Sequence, residues 1–268
     1  MKIGVIGLGK MGEALVKGLQ TSQGGSKKFS IKASTRSIES AQEASKRLQI
    51  ECGTNNLKVV QYSDILVLCV KPHQAKAVLE PLASSLTSKH LIISICAAVT
   101  TQQVSEWSGG KAAVIRAMPN TPCLIGEGMT VFAPGLGAKP EHLQQAEHIF
   151  GPVGKTAVVE ESLMDGVTGL SGCGPAYIYM IIEALSEAGV KVGLPRKVAP
   201  LLSAQTLLGA AKMVLERGEH PAALKDEVTT PAGCTIDGLM ALEEGKLRVT
   251  LIKAVVAAAK RSKSLRSN

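Results

Sequence analysis

Lys2-Ile3-Gly4-Val5-Ile6-Gly7-Leu8-Gly9-Lys10-Met11-Gly12 is the stretch on which the reading of the fold turns. Residues 2–6 form a short, largely β-branched run, and Gly7, Gly9 and Gly12 follow at GxGxxG spacing before a helical pattern from about Met11 to Gln20. Glycines at those places allow a tight turn and let a pyrophosphate approach the helix N-terminus, where unbonded N–H groups and the helix dipole favour an anion. An ordinary glycine-rich turn would show the bare pattern too. The strand before it and the helix after it favour dinucleotide binding, with Gly7, Leu8, Gly9, Lys10, Met11 and Gly12 as contacts.

Outward from this stretch the alternation repeats. Phe29–Ala33 reads as a second strand and Ala41–Leu48 as a helix. Ile65–Val70 is an almost uninterrupted apolar run, as expected of a strand covered on both faces. Strand patterns follow at His90–Ile95, Ala113–Arg116, Met129–Ala133 and Thr156–Val159, with helices near Gln74–Leu86, Thr101–Trp107 and Glu141–Phe150 between them. Strands alternating with helices predict βαβ units and a mostly parallel sheet, an α/β domain of Rossmann type over residues 1–160. From about Ser162 the texture changes to long Ala- and Leu-rich helical patterns at Ala176–Val192, Lys197–Arg217, Ile236–Glu244 and Arg248–Ser264. Residues 161–268 are therefore expected to form a second, all-α domain.

A length of 268 residues allows one large domain or two, and 45% hydrophobic with 19% charged residues excludes a disordered chain. Aromatic residues are 3% of the total against 27 Gly, so the core must be built from Ala, Val, Leu and Ile, and the stacking platforms of single-strand nucleic-acid binders are missing. The net charge of +8 comes from 30 Lys+Arg against 22 Asp+Glu. Part of it sits in the last helical turn, at Lys260, Arg261, Lys263 and Arg266, where cations suit a helix C-terminus. No run is basic enough for a nucleic-acid arm, whereas an excess of this size can steer an anionic ligand to a cleft. Cys52, Cys69, Cys96, Cys123, Cys173 and Cys234 show no CxxC spacing and read as reduced thiols. His73, His90, His142, His148 and His220 form no metal spacing, and no metal is expected. Met1–Ile6 is already a strand pattern rather than a signal peptide, and no apolar run approaches the roughly 18 residues of a membrane span. The expectation is a soluble cytoplasmic protein without membrane or nucleic-acid partners.

The end of the second strand speaks to the cofactor. An NAD site would place Asp or Glu about twenty residues after the glycines to hold the ribose 2′-hydroxyl, but here the chain runs Ala33-Ser34-Thr35-Arg36-Ser37. Hydroxyls and a guanidinium suit a 2′-phosphate, so NADPH is favoured over NADH, with Ser34, Thr35 and Arg36 as contacts; Arg36 as a solvated loop residue is the alternative. Val70-Lys71-Pro72, Cys96-Ala97-Ala98 and Met118-Pro119-Asn120-Thr121-Pro122 end further strands, at the carboxyl edge where such sheets bind ligands. They read either as walls of a cofactor groove or as loop punctuation.

In the helical half, Thr168-Gly-Leu-Ser171-Gly-Cys-Gly174-Pro175 reads as a nest of free amides for a carboxylate or as a close-packing turn. Asp226-Glu227-Val-Thr229-Thr230-Pro231-Ala232-Gly233-Cys234-Thr235 puts Thr235 at the N-cap or in the first turn of a helix. Amides of Gly233 and Cys234 beside a hydroxyl could bind a small carboxylate there, or simply cap the helix.

Taken in order, GLGKMG, VKP, MPNTP, TGLSGCGPAY and DEVTTPAGCTIDGLMALEEG resemble the pyrroline-5-carboxylate reductase family over nearly the whole chain, Met1 to about Ser264. The resemblance implies reduction of (S)-1-pyrroline-5-carboxylate to L-proline by NADPH or NADH. It also implies helical domains that interlock two subunits, larger rings such as pentamers of dimers, and an active site between cofactor and helical domain. Thr235 would contact the ring nitrogen as the catalytic residue, Gly233 and Cys234 would anchor the carboxylate, and Thr230, which stands where the family often has Ser, would join them in binding the substrate. Cys173 and Ala232 replace a common Ser and Gly, and Glu161 would approach the substrate. Asn56, Cys69, Val70, Lys71, Pro72, Ala97 and Asn120 join the glycine loop as cofactor contacts.

No strong acid–base dyad is visible, and a protonated iminium needs chiefly to be positioned. A β-hydroxyacid dehydrogenase is the nearest rival; Gly169, Gly172 and Gly174 match the glycines of its GxxGxGxxxK motif, but Ile178 stands in place of its lysine. A non-catalytic NADP-binding sensor is the rival from another class.

Overall fold

The computed structural model describes residues 1–21 and 29–265; Arg266 lies outside the described residues. The opening run forms β1 (Lys2–Ile6), and the glycine turn leads into α1 (Lys10–Thr21). β2 (Ser30–Ser34), α2 (Ile38–Leu48), β3 (Glu51–Gly53), α3 (Asn56–Tyr62) and β4 (Ile65–Leu68) follow. Then come α4 (Ala75–Leu79), β5 (Leu91–Ser94), α5 (Thr101–Trp107), β6 (Ala113–Met118), β7 (Gly128–Pro134), α6 (Pro140–Phe150) and β8 (Gly154–Val158).

Among the described residues these eight strands make one sheet in the order β3-β2-β1-β4-β5-β6-β7-β8. All neighbours run parallel except β6 and β7. Two-residue periodicity sorts the side chains of the central strands to two cores. Ile3, Val5, Ile65, Val67, Leu91, Ile93, Ala113 and Ile115 enter one, while Ile6, Leu66, Leu68, Ile92 and Val114 enter the other. That is why β4 reads as a continuous apolar run: helices cover both faces. From β1 the chain builds outward to β2 and β3 on one side and to β4 and beyond on the other. The crevice at the carboxyl ends of β1 and β4 is thus the switch point where open α/β sheets bind ligands.

The expected helix at 74–86 is broken into a 3₁₀ turn (Pro72–Gln74), α4 and a second 3₁₀ turn (Glu80–Ser85), because Pro81 has no N–H to continue the ladder. β3 and α3 are additions to the sequence reading.

The chain goes on through α7 (Met164–Val167), a π-helical turn (Thr168–Gly172), α8 (Gly174–Lys191), α9 (Ala199–Arg217), α10 (Pro221–Glu227), α11 (Cys234–Glu244) and α12 (Leu247–Leu265). It divides into two compact units, Met1–Cys173 with the stretch from Ala257, and Gly174–Val256. In the first unit the Ser262 hydroxyl donates to the buried Asp165 carboxylate at 2.8 Å, tying the end of α12 to α7. In the second, α8 and α9 meet through Ser186 and Ser203, whose hydroxyls lie 3.3 Å apart. Much of the second unit's apolar surface is uncovered in the single chain, including Tyr179, Met180, Leu201, Leu215 and Ile252. No helix among the described residues is long and apolar enough to cross a membrane.

Candidate active site

Gly7 leaves β1 at φ +86°, where a Cβ would lie 2.6 Å from Val70 Cγ1, so the turn requires glycine. The Gly7 and Leu8 amides donate to the Ser34 carbonyl at 3.0 and 3.1 Å, and Gly9 donates to Gly7 at 2.8 Å. These three amides are therefore engaged, two with the end of β2 and one within the loop. The first-turn amides of α1, beginning at Lys10 and Met11, are the ones that lack an intrahelical acceptor and face an anion by default. A Cβ on Gly9 would meet nothing within 4 Å, which leaves room for close approach by a ligand. A Cβ on Gly12 would sit 3.3 Å from Val5, so this third glycine serves helix-on-strand packing.

The loop opens on a cleft of about 720 Å³. The cleft gathers Gly7, Leu8, Gly9, Ser34, Thr35, Arg36, Asn56, Cys69, Val70 and Lys71 from the sequence-derived set. Lys10, Met11, Gly12, Pro72, Ala97 and Asn120 are not in its wall. Ser40, Thr54, His73 and Gln74 are, and no motif marks them, because α2, α3 and the 3₁₀ turn at 72–74 bring them there by their starting points.

The Ser34 hydroxyl is buried in this wall without a hydrogen-bond partner, and the exposed Arg36 follows two residues later. Thr35 donates its hydroxyl to the Ser37 carbonyl at 3.0 Å, and Ser37 in turn caps α2. An orphaned hydroxyl, a guanidinium, an open glycine and a helix start are groups that fit a phosphorylated dinucleotide. Burial pushes the Cys69 thiol far above the usual range, and Cys96 up to about 11, which keeps both protonated at neutral pH.

Asn120 has a structural occupation. Its Oδ1 accepts the Met129 N–H at 2.8 Å and its Nδ2 donates to the Ser171 carbonyl at 3.2 Å, bracing the end of β6 against β7 and the π turn. Glu161 is engaged as well: its carboxylate accepts the Thr101 N–H at 2.7 Å and the Thr101 hydroxyl at 2.6 Å, with Arg116 Nη1 at 3.6 Å. Thr168–Gly172 is a π-helical continuation of α7 rather than an open nest, and the Cys173 N–H is taken by the Thr168 carbonyl at 2.9 Å.

In the second unit, the segment after α10 turns through Ala232 at φ +58° to Gly233, the N-cap of α11. The Gly233 N–H donates to the Thr230 carbonyl at 3.1 Å, so it is not the free amide expected from the sequence. A Cβ there would stand 2.4 Å from the Thr230 hydroxyl, so a larger residue would have to displace that side chain. Cys234 and Thr235 occupy the first turn of α11, where their amides lack intrahelical acceptors. The Thr235 hydroxyl accompanies these amides, a combination able to hold a carboxylate and orient a neighbouring polar atom.

Comparison with known proteins bears on both halves. Residues 161–265 match the family model for pyrroline-5-carboxylate reductase dimerisation, and residues 2–98 match that for NADP oxidoreductase, coenzyme F420-dependent. A pyrroline-5-carboxylate reductase of Methanosarcina acetivorans is 45% identical over 98% of this chain and 97% of its own. The structure of the reductase from Coxiella burnetii superposes with a TM-score of 0.91 at 36% identity, covering 98% of this chain and 97% of that one. The Plasmodium falciparum pyrroline carboxylate reductase, solved with NADP bound, gives a TM-score of 0.86 at 33% identity over 99% and 98% of the two chains. With identity and fold shared from end to end, this chain belongs to the pyrroline-5-carboxylate reductase family.

Proposed function

We propose that the chain reduces 1-pyrroline-5-carboxylate to L-proline with NADPH as the preferred donor, NADH being the weaker one. The observation that carries this reading is the first turn of α11, where the Thr235 hydroxyl stands beside amides with no intrahelical acceptor. The cofactor, when bound, supplies a hydride for the C5=N carbon of the imine. Cys234 and Thr235 would hold the substrate carboxylate through their amides. Thr235 Oγ1 would orient the ring nitrogen and keep a proton on it, so that the electrophile is the iminium. Orientation of this kind can supply much of the rate without an acid–base dyad. On the nucleotide side, Ser34, Thr35 and Arg36 would hold the 2′-phosphate, and the start of α1 the pyrophosphate. We assign Asn120 and Glu161 to the scaffold rather than to direct contact, because both are already bonded within the protein.

The same reading has two chains associating through the helical unit, whose exposed Met180 and Leu201 are apolar groups that a second copy would cover. Pairs would assemble further into rings such as pentamers of dimers, and the protein would work in the cytoplasm.

The test is the decay of the reduced cofactor's near-ultraviolet absorbance on adding pyrroline-5-carboxylate. Thr235→Ala is expected to lower kcat/KM by about 100-fold, the scale for losing one hydrogen-bonding group aimed at a reacting centre, while Thr235→Ser keeps most of it. Equal rates for Thr235→Ala and the parent would remove the hydroxyl from the chemistry.

A further inference from the structure

Arg116 in the middle of β6 heads the largest fully buried side chains, with 2% exposure. A guanidinium inside a protein needs a charged partner, and Glu161 supplies it. The same carboxylate takes both the amide and the hydroxyl of Thr101, the first residue of α5. The start of α5 already has a capping box, in which Thr100 and Gln103 bond each other's backbone. Glu161 thus fastens from outside a helix end that is satisfied from within.

What precedes that helix end explains the arrangement. Residues 95–100 leave the carboxyl end of β5 and turn through Ala98 at φ +60°, a left-handed conformation that a non-glycine residue keeps only when its surroundings over-determine it. On one side the loop is held to the strand beside it: Ile95 N–H donates to the Leu68 carbonyl at 3.1 Å and the Cys96 thiol donates to the Val70 carbonyl at 3.3 Å. Val70 is part of the cleft wall and touches the site of the Gly7 turn. On the other side the loop ends at Thr101, in the grip of Glu161.

We propose that Glu161 is a positioning residue for the nucleotide: acting through Thr101, it fixes residues 95–100 against Val70 and so sets the shape of the cleft, without touching the imine substrate. The inference rests on the dinucleotide reading of the cleft and deepens it.

NADPH is titrated into the full chain by fluorescence with no substrate present, and thermal melting is recorded alongside. Glu161→Gln keeps the size of the side chain but loses its charge against Arg116. Thr101→Val removes only the hydroxyl bond, and Thr101→Ser restores it. The expected result is a Kd for NADPH raised about fivefold or more in Glu161→Gln and Thr101→Val, the scale of a lost charge-assisted hydrogen bond, and parental affinity in Thr101→Ser. The KM for pyrroline-5-carboxylate at saturating NADPH should stay within about twofold of the parent in all three. A parent that does not bind NADPH defeats the cleft reading itself. A parent that binds, with Glu161→Gln and Thr101→Val binding equally well, defeats the positioning role alone, whatever the melting temperatures do. A raised KM for the imine with unchanged NADPH affinity would assign Glu161 to the substrate instead. Should Glu161→Gln not fold, the Thr101→Val and Thr101→Ser pair decides by the same criterion.

Discussion

Under the proposed preference for NADPH, Arg36 is the residue on which cofactor choice would turn. It follows the orphaned Ser34 hydroxyl in the cleft wall, at the place where a carboxylate would repel a phosphate. Arg36→Ala is expected to raise the KM for NADPH by about tenfold or more, the scale of a lost charge-assisted contact, and to leave that for NADH nearly unchanged. Steady-state rates with the two cofactors check this, and equal losses for both would show that Arg36 does not read the 2′-phosphate. At this scale the sequence shows glycines, hydroxyls and a missing acid clearly, because each is a local signal within a few residues of the turn it serves. It does not show the employment of Glu161 and Asn120. Their partners, Thr101 and Ser171, lie 60 and 51 residues away and are brought near only by the sheet. Nor does it show that the Gly233 amide closes its own turn on Thr230.

Strands and long helices announce themselves through periodicity, and α5 and β1 have the spans that their patterns predict. What escapes is short or shaped by its neighbours. β3 has three residues at the sheet edge and α3 has seven, too few for either period to stand out. The π turn at Thr168–Gly172 fits an extra residue between α7 and α8, which glycine spacing alone does not distinguish from a loop. The pairing of β7 with β8 illustrates how an element can depend on one position. Gly154 faces Gly128 across the pair at φ +145°, and a Cβ there would lie 2.0 Å from the Gly128 carbonyl oxygen. Gly154→Ala should therefore cost about 3 kcal/mol or more through backbone displacement and strain, read as a lower urea midpoint. A midpoint equal to the parent's would mean that the strands separate there without penalty.

At the scale of the molecule, a low aromatic content and many Ala and Gly suit a two-sided sheet covered by small-residue helices. They also suit helices in the second unit that leave apolar side chains uncovered in the single chain. Met180 on α8 is 73% exposed, so Met180→Asp should leave the fold of one chain intact while weakening association. Sedimentation is expected to show a smaller species than the parent, with lower specific activity; an unchanged mass would remove this face of α8 from the interface. The chemistry proposed for the chain is tested most directly by the fate of one hydrogen. Incubating the protein with pyrroline-5-carboxylate and NADPH deuterated at C4, using each face in turn, and analysing the product by mass spectrometry follows that atom. The account predicts L-proline carrying one deuterium at C5 from one face of the cofactor only. Absence of proline, or proline without deuterium from either face, would contradict it.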